Sequence, residues 1–313
     1  MSYRTVNGVS TVLDDFSLRL DEGQIVSIVG ESGSGKSTLG QAVTKLLPPS
    51  GVCKGEVIFE GKNIVRMKEE EMTLYRGTSV FMIFQNPLNS LNPVKRVGFQ
   101  LIEAIRIRAN RKNENLSEEE IHKEAIETLK VMRLPDPEEI MKRYPHELSG
   151  GQVQRVVISM AIILKPQLLI ADEPTTALDV TIQAQVINLL KQLNKDYKMS
   201  IIFITHDLSL AYVLSDRILV MYAGRMAENS PSDLIVKKPL HPYTEGLLKS
   251  VPGSYKSSGE LYSIPGSPPS FFDMPSGCRF NPRCSKVFDK CRVDEPDLID
   301  YKQDVKVRCW LYE

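Results

Sequence analysis

The chain has 313 residues, and its 39 lysine and arginine side chains balance 39 aspartate and glutamate side chains, so the formal net charge at pH 7 is zero. This balance argues against a general nucleic-acid binder, which is normally basic. No apolar run approaches the roughly 18 residues of a membrane-spanning helix, and the first residues lack the apolar core of a signal peptide. A cytosolic chain with one large domain or two smaller ones is expected.

The first part of the chain predicts strands that alternate with a glycine-rich turn and a helix. Residues 24–29 (QIVSIV) form a short apolar run that is typical of a buried strand. Residues 30–37 (GESGSGKS) follow, and residues 38–43 indicate the start of a helix. Further strands are expected at 56–59 and 79–84.

A helical region is predicted after a loop at 86–93 that is rich in asparagine and proline. Ser117 and Glu120 have the spacing of a capping box, and apolar residues then recur at helical spacing until Pro135 ends the run. The later elements expected are helices at 152–164 and 180–195 and strands at 168–171 and 201–205. Alternating strands and helices predict an α/β fold with a mainly parallel sheet.

The composition changes after about residue 230, where an extended, irregular segment with several prolines is expected. Four cysteines crowd into its last part: Cys278, Cys284, Cys291 and Cys309. In a reducing cytosol such a group indicates a metal site more than a disulfide framework. The spacing C-x5-C-x6-C-x17-C matches neither a zinc ribbon nor a ferredoxin, yet four thiolates suit either tetrahedral zinc or a 4Fe–4S cluster.

Residues 30–37, named the phosphate loop below, fit the pattern G-x-x-x-x-G-K-S/T. Glycines let the backbone turn tightly, so that successive N–H groups point at phosphate oxygens. Lys36 is expected to reach the β- and γ-phosphates, and Ser37 to ligate Mg²⁺. The following helix directs its N-terminus at the anion. The residues expected to bind ATP here are Gly30, Ser32, Gly33, Ser34, Gly35, Lys36, Ser37 and Thr38.

A second acidic motif is the apolar run 168–171 followed by Asp172 and Glu173. Beside a phosphate loop, Asp172 is expected to hold Mg²⁺, directly or through water, and Glu173 to polarise the attacking water. Taken alone, the pattern fits a pair of solvated acids after a buried strand equally well.

Residues 148–152 (LSGGQ) are the pentapeptide by which the chain resembles the ATPase subunits of ATP-binding cassette (ABC) transporters. The pentapeptide precedes a predicted helix, whose N-terminus can grip a γ-phosphate. The resemblance implies that this phosphate belongs to the ATP of another subunit, in a head-to-tail dimer with two nucleotides. The residues expected to contact the partner subunit's ATP are Ser149, Gly150, Gly151, Gln152 and Asp179.

Other family motifs match in the same order along the chain. Gln85 fits the glutamine that contacts Mg²⁺ and senses the membrane partner, residues 177–179 fit the D-loop, and His206 fits the histidine that contacts the γ-phosphate. The resemblance thus implies catalytic roles for Glu173, His206, Gln85 and Lys36, and magnesium ligands Ser37, Gln85 and Asp172. Tyr3 is the candidate for stacking on adenine, although the family usually begins with another short strand before this point. A frayed terminal position is the alternative for Tyr3.

Residues 84–93 and 241–248 resemble the dipeptide, oligopeptide and nickel importer branch, most closely its D-type ATPase. Asn86 departs from the aspartate common at its position. The resemblance implies an ATPase that powers import of dipeptides or oligopeptides, peripheral at the cytoplasmic face of the cell membrane. Its expected partners are two permease subunits, a second, homologous ATPase and, indirectly, an extracellular binding protein, with no nucleic acid. A nickel importer and a soluble ABC ATPase acting on ribosomes or DNA are the alternatives.

The resemblance also implies a domain plan. An ABC nucleotide-binding domain is expected at 1–230, with an antiparallel β subdomain and a helical subdomain at about 86–155. An irregular extension that carries the four-cysteine metal site is expected at 231–313. For that site the resemblance favours a 4Fe–4S cluster, with zinc and no metal as alternatives. A cluster there is expected to stabilise the segment rather than perform redox catalysis.

Overall fold

The computed structural model describes residues 1–6, 8–176, 178–251, 262–302 and 304–313. The chain divides into two compact units. The first unit comprises residues 1–20, 25–67 and 203–313, and the second comprises residues 21–24 and 68–202.

The strands are β1 (Ser2–Thr5), β2 (Gly8–Thr11), β3 (Ile25–Val29), β4 (Gly51–Val52), β5 (Ile58–Phe59), β6 (Lys62–Asn63), β7 (Val80–Ile83), β8 (Leu168–Asp172), β9 (Ser200–Thr205), β10 (Arg217–Tyr222), β11 (Arg225–Pro231), β12 (Ile299–Lys302) and β13 (Val305–Val307). The α-helices are α1 (Lys36–Val43), α2 (Glu69–Tyr75), α3 (Val97–Lys112), α4 (Glu118–Val131), α5 (Pro137–Lys142), α6 (Gly150–Leu164), α7 (Val180–Tyr197), α8 (Leu208–Leu214), α9 (Ser232–Lys237), α10 (Pro242–Lys249) and α11 (Asp289–Val293). Within the ranges that the structure describes, no helix is both long enough and apolar enough to cross a bilayer.

In the first unit, the buried strand β3 carries the phosphate loop at its carboxyl end. All five residues of β3 are buried, and it pairs in parallel with β10, with Val29 opposite Val220. Strand β11 pairs antiparallel with β10 on the other side. A parallel strand covered on both faces has the continuous apolar sequence that predicted β3.

A separate antiparallel sheet of the first unit has the order β2-β1-β4. Tyr3 lies inside β1, opposite Ser10 of β2 and Gly51 of β4. The alternative of a frayed terminus for Tyr3 is therefore wrong. Strand β1 has only four residues, Ser2–Thr5, which is too short a segment to predict a strand from sequence.

The C-terminal extension, residues 231–313, contains more regular structure than its composition predicted. It includes the helices α9, α10 and α11 and the hairpin of β12 and β13. Strand β13 pairs with β11, with Val307 opposite Glu228. Val305 and Val307 are buried and Lys306 is exposed, which is a period-two pattern of minimal length.

In the second unit, β7 and β8 form a parallel pair, with Ile83 opposite Ala171. The predicted capping box is confirmed: the Ser117 and Glu120 side chains each bond the other's backbone N–H at the start of α4. Helix α6 begins at Gly150, two residues before the predicted start, because Ser149 caps it. Helix α4 ends at Val131, before Pro135 is reached.

Candidate functional site

The phosphate loop adopts a conformation that its glycines make possible. Gly33 and Gly35 have φ values of 79° and 98°, in the left-handed region that side chains disfavour. At Gly30, a Cβ atom would lie 2.2 Å from the carbonyl oxygen of Met221 in β10. Glycine at position 30 is therefore required by the neighbouring strand, independently of any nucleotide.

Lys36 and Ser34 give the loop a polar interior. Lys36 is only 5% exposed, and its Nζ donates hydrogen bonds to the carbonyl oxygens of Gly30 (2.8 Å) and Glu31 (2.9 Å). Ser34 Oγ is buried and has no hydrogen-bond partner among the described residues. Because a buried hydroxyl normally finds a partner, Ser34 and the adjoining N-terminus of α1 are suited to a phosphate group.

The remaining loop residues are accessible from solvent. Ser32 and Gly33 are exposed, and Ser37 and Thr38 are half-buried. The hydroxyl of Tyr3 donates to Thr38 Oγ1 at 3.4 Å, so the candidate adenine-stacking ring reaches the first turn of α1. His206 belongs to the first unit, directly follows β9 and is exposed.

Two residues outside the nucleotide-binding motifs, Tyr243 and Arg283, also contact the loop. The hydroxyl of Tyr243 accepts a hydrogen bond from the backbone N–H of Glu31 at 2.9 Å. The guanidinium of Arg283 pairs with the Glu31 carboxylate. The one sequence signal for these contacts was an acidic residue inside a loop expected to bind a polyanion.

The second unit contains the acidic motif and Gln85. Asp172 ends β8 and is 3% exposed, and Glu173 follows at 9%. The Glu173 Oε2 atom accepts hydrogen bonds from Gln85 Nε2 (3.3 Å) and Thr176 Oγ1 (3.1 Å). The structure therefore brings two predicted catalytic residues together, and Thr176 joins them.

Glu173 also has an unusual backbone, with φ of 47°. Such a conformation costs a residue other than glycine about 1–3 kcal/mol and is common at functional sites. It turns the chain sharply after β8, which holds the carboxylate against Gln85.

The LSGGQ segment starts helix α6 in the second unit. Ser149 Oγ accepts from the N–H of Gln152 (3.4 Å), and Gln152 Oε1 accepts from the N–H of Ser149 (3.0 Å). Gly150 has open space where a Cβ would lie. Ser149 caps this 15-residue helix, and the first helical residue, Gly150, has no side chain. The N-terminus of the helix can therefore approach an anion closely.

The predicted D-loop lies just before α7. Asp179 caps this helix by accepting a hydrogen bond from the N–H of Ile182 at 3.0 Å. Ala177, the first residue of the predicted D-loop, lies outside the described residues.

The predicted magnesium ligands have suitable chemistry. The Ser37 hydroxyl, the Gln85 amide and the Asp172 carboxylate all offer oxygen atoms, which Mg²⁺ prefers. Ser37 lies in the first unit, and Gln85 and Asp172 lie in the second.

The four cysteines require a correction. All are free thiols, and across the described ranges no group of three or more His, Cys, Asp or Glu side chains is arranged to hold a metal ion. The predicted iron–sulfur cluster is therefore wrong, and the zinc alternative has no support.

The four cysteines line one cavity, but their thiols lie among apolar side chains, which disfavour the thiolate form that a metal ion requires. Cys278 and Cys284 pack against the cluster that contains Phe280, whereas Cys309 belongs to another with Val307. Burial raises the pKa of Cys278 to about 12 and that of Cys309 to about 11. Buried neutral thiols behave as small apolar side chains.

Comparisons with known proteins agree with this fold and these motifs. Residues 13–176 match the ABC transporter family, and residues 227–291 match the oligopeptide/dipeptide transporter, C-terminal region. The chain is 46% identical to the oligopeptide transport ATP-binding protein OppD of Bacillus subtilis over 99% of its own length and 86% of the relative's. It is 44% identical to the dipeptide transport ATP-binding protein DppD of Escherichia coli, over 91% of this chain and 86% of that protein.

Comparison with solved structures also indicates an ATP-binding cassette fold. A dimeric ATP-binding cassette in a post-hydrolysis state, bound to ADP and Pi, superposes with a TM-score of 0.65 and 29% identity, covering 74% of this chain and 95% of that one. The chain therefore belongs to the ABC transporter family, and the family predicted from LSGGQ is confirmed. Its fold is that of an ABC ATPase, and its enzymatic activity is ATP hydrolysis.

Proposed function

We propose that this chain is the ATP-hydrolysing subunit that powers import of dipeptides or oligopeptides through a membrane permease. One observation carries the cargo class: residues 227–291 match the C-terminal region of oligopeptide/dipeptide transporters. Relatives named for oligopeptide and for dipeptide transport are both more than 40% identical to this chain. Transport assays with both kinds of peptide distinguish these two classes of cargo.

In the first unit, the phosphate loop binds the phosphates of ATP. Lys36 and the loop N–H groups stabilise negative charge there, and electrostatic stabilisation of this kind is a large part of phosphoryl-transfer catalysis. His206 supports the γ-phosphate, and the Tyr3 ring stacks on adenine. Both of these roles rest on the match to family motifs.

In the second unit, Glu173 orients the attacking water in line with the γ-phosphate. The hydrogen bonds from Gln85 and Thr176 support this role, because they fix the direction of the carboxylate. Ser37, Gln85 and Asp172 would hold Mg²⁺, which would neutralise part of the phosphate charge.

The signature residues act on the nucleotide of a second ATPase subunit. The capped, open N-terminus of α6 supports this role for Ser149, Gly150, Gly151 and Gln152, with Asp179 beside the same nucleotide. The second ATPase is a different, homologous chain. Two permease subunits complete the membrane complex, and an extracellular binding protein delivers cargo to them.

This assembly places the chain at the cytoplasmic face of the membrane as a peripheral subunit. Within it, residues 1–230 serve as the nucleotide-binding domain, with a helical subdomain at about 86–155, and residues 231–313 serve as an extension of the peptide-transporter type. The loop at Gln85 transmits nucleotide-driven closure to the permease.

The test is transport by the complete complex in liposomes, with labelled dipeptide, labelled oligopeptide and radiolabelled nickel offered in parallel. ATP-dependent accumulation of peptide is expected. Replacement of Lys36 by alanine should abolish it, because a phosphate contact is lost. The control is Lys62→Ala, an exposed lysine in β6, which should retain uptake.

Accumulation of nickel without peptide would replace the cargo class and favour the nickel importer. Purification of the chain with ribosomes or DNA, and without permease subunits, would favour the soluble ABC ATPase.

A further inference from the structure

We propose that Arg283 and Tyr243 of the C-terminal extension are positioning residues of the phosphate loop, which act through Glu31 and set the affinity of the loop for the phosphates of ATP. The inference rests on the ATPase function and adds residues that lie outside every nucleotide-binding motif. Both the side chain and the backbone of Glu31 are fixed by hydrogen bonds, and these contacts carry the inference.

Arg283 binds the Glu31 carboxylate through both terminal nitrogens of its guanidinium. Nη1 lies 2.7 Å from Oε2, and Nη2 lies 2.9 Å from Oε1. Bidentate pairs of this kind fix geometry as well as charge. Arg283 is 7% exposed, so solvent screens the pair less than an exposed one.

The other donors of Arg283 tie it to the C-terminal extension and to β10. Nε donates to the carbonyl oxygen of Pro265 at 2.9 Å, and Nη1 also donates to the Tyr222 hydroxyl at 3.2 Å. The guanidinium therefore has one defined orientation, which it imposes on Glu31.

The backbone of Glu31 is held on both sides. Its N–H donates to the Tyr243 hydroxyl (2.9 Å), and its carbonyl oxygen accepts from Lys36 Nζ (2.9 Å). Lys36 is the side chain expected to reach the phosphates. A shift of Glu31 would therefore move one of the two carbonyl groups that orient Lys36.

Tyr243 and Arg283 are themselves anchored by packing. Tyr243 is fully buried, and its ring centroid lies 4.7 Å from that of Tyr222 and 5.3 Å from that of Phe280. Phe280, three residues before Arg283, is 3% exposed. The contacts to Glu31 thus come from residues in or next to a packed aromatic cluster, rather than from an exposed loop.

Charge gives these contacts a consequence for nucleotide binding. Glu31 adds a negative charge to a loop that must bind a polyanion, and like charges repel. Arg283 remains charged, because its hydrogen bond with Glu31 raises its already high pKa. The ion pair with Arg283 offsets the negative charge of Glu31 and keeps its carboxylate from rotating toward the phosphates.

The experiment measures Mg-ATP affinity of the full chain by isothermal titration calorimetry, and KM and kcat of the assembled transporter. Arg283→Met should raise the Kd and KM about tenfold, because a charge partner is lost, while kcat changes less than about twofold. Adding Glu31→Gln to Arg283→Met should restore most of the affinity, since no carboxylate remains unpaired. Tyr243→Phe, which removes a single oxygen, should raise the Kd about threefold.

Arg308→Met is the matched control. Arg308 is also a buried arginine of the C-terminal extension (5% exposed), and it pairs with Asp15, outside the phosphate loop. It should lower the thermal midpoint and leave the Kd for Mg-ATP unchanged.

Wild-type affinity in Arg283→Met, or no recovery in the double variant at an unchanged unfolding midpoint, would overturn the inference. If Arg283→Met fails to fold, an unchanged Kd in Tyr243→Phe has the same meaning. A wild-type chain that fails to bind Mg-ATP would instead contradict the ATPase function on which the inference rests.

Discussion

Glu173 combines an unusual backbone conformation with a carboxylate whose direction is fixed by hydrogen bonds. Its backbone occupies the left-handed region, and its carboxylate accepts hydrogen bonds from Gln85 and Thr176. The strain is local, and the two donors determine where the carboxylate points. A residue with this geometry is suited to orient water rather than to bind nucleotide.

The prediction for this residue is that Glu173→Gln slows ATP hydrolysis about a hundredfold or more, while the Kd for Mg-ATP stays within about twofold. Glutamine keeps the size and one oxygen but cannot act as a carboxylate. Steady-state phosphate release by the assembled transporter and calorimetry measure the two quantities. Glu138→Gln, an exposed glutamate of α5, is the control, and an unchanged rate in Glu173→Gln would remove the assigned role.

At the scale of elements, Arg108 links the helices of the second unit. It lies on α3 with its side chain 4% exposed, and it pairs with Glu124 on α4 and with Glu114. Its Nη1 also donates to the carbonyl oxygen of Ile163 near the end of α6. One side chain therefore connects three helices.

Arg108→Met should lower the free energy of unfolding by about 2–3 kcal/mol, somewhat less than for a fully buried pair because both glutamates keep contact with water. Arg106→Met is the matched control on the same helix. Arg106 pairs with Glu118 at the surface, so its loss should cost about 0.5 kcal/mol. Urea unfolding followed by circular dichroism measures both, and equal losses would contradict the linking role.

His241 makes the stability of α10 depend on pH. Its Nδ1 accepts a hydrogen bond from the N–H of Tyr243, and burial lowers its pKa from 6.5 to about 3. The unfolded chain binds a proton below about pH 6.5 and the folded chain does not, so stability is lost as pH falls below that value. The buried Glu228 accepts from the N–H of His241, and burial raises its pKa, which acts in the opposite direction.

We therefore expect His241→Asn to reduce the loss of unfolding free energy between pH 7 and pH 5 by about 2 kcal/mol relative to the wild type. Asparagine can still cap the helix, and the contribution of Glu228 is common to both proteins. Urea unfolding at the two pH values gives the difference. His146→Asn, at an exposed histidine, should change nothing, and a wild-type pH dependence in His241→Asn would contradict the assignment.

The elements that the sequence predicted well are those whose cause is local. The phosphate loop, the LSGGQ helix start and the Ser117–Glu120 capping box each occupy a few adjacent residues, so their geometry can be derived from spacing. Strand β13 was missed because its partner β11 lies nearly 80 residues earlier in the chain. The cysteines were misassigned because spacing could not reveal that Cys278 and Cys309 are buried among apolar side chains, where burial raises the pKa of each thiol.

At the scale of the whole molecule, the signature helix is expected to serve a nucleotide that this chain does not bind. Ser149→Arg should therefore leave the Kd of the isolated chain for Mg-ATP within about twofold of wild type. In the assembled transporter it should reduce ATP hydrolysis about a hundredfold, because donors to the partner's γ-phosphate are blocked. Glu138→Arg, an exposed charge reversal on α5, is the control, and weakened ATP binding by the isolated Ser149→Arg chain would contradict the division of roles.

The contact between Glu31 and Arg283 also bears on how the protein is made. The two residues are 252 positions apart, and the Met221 carbonyl that packs on Gly30 is itself nearly two hundred residues beyond the loop. At ordinary rates of synthesis the ribosome needs on the order of 10–50 s to cover that distance. During this interval the nascent chain displays a glycine-rich segment whose supports have not yet been synthesised. ATP is therefore expected to bind the emerging polypeptide more weakly until these later residues have been added.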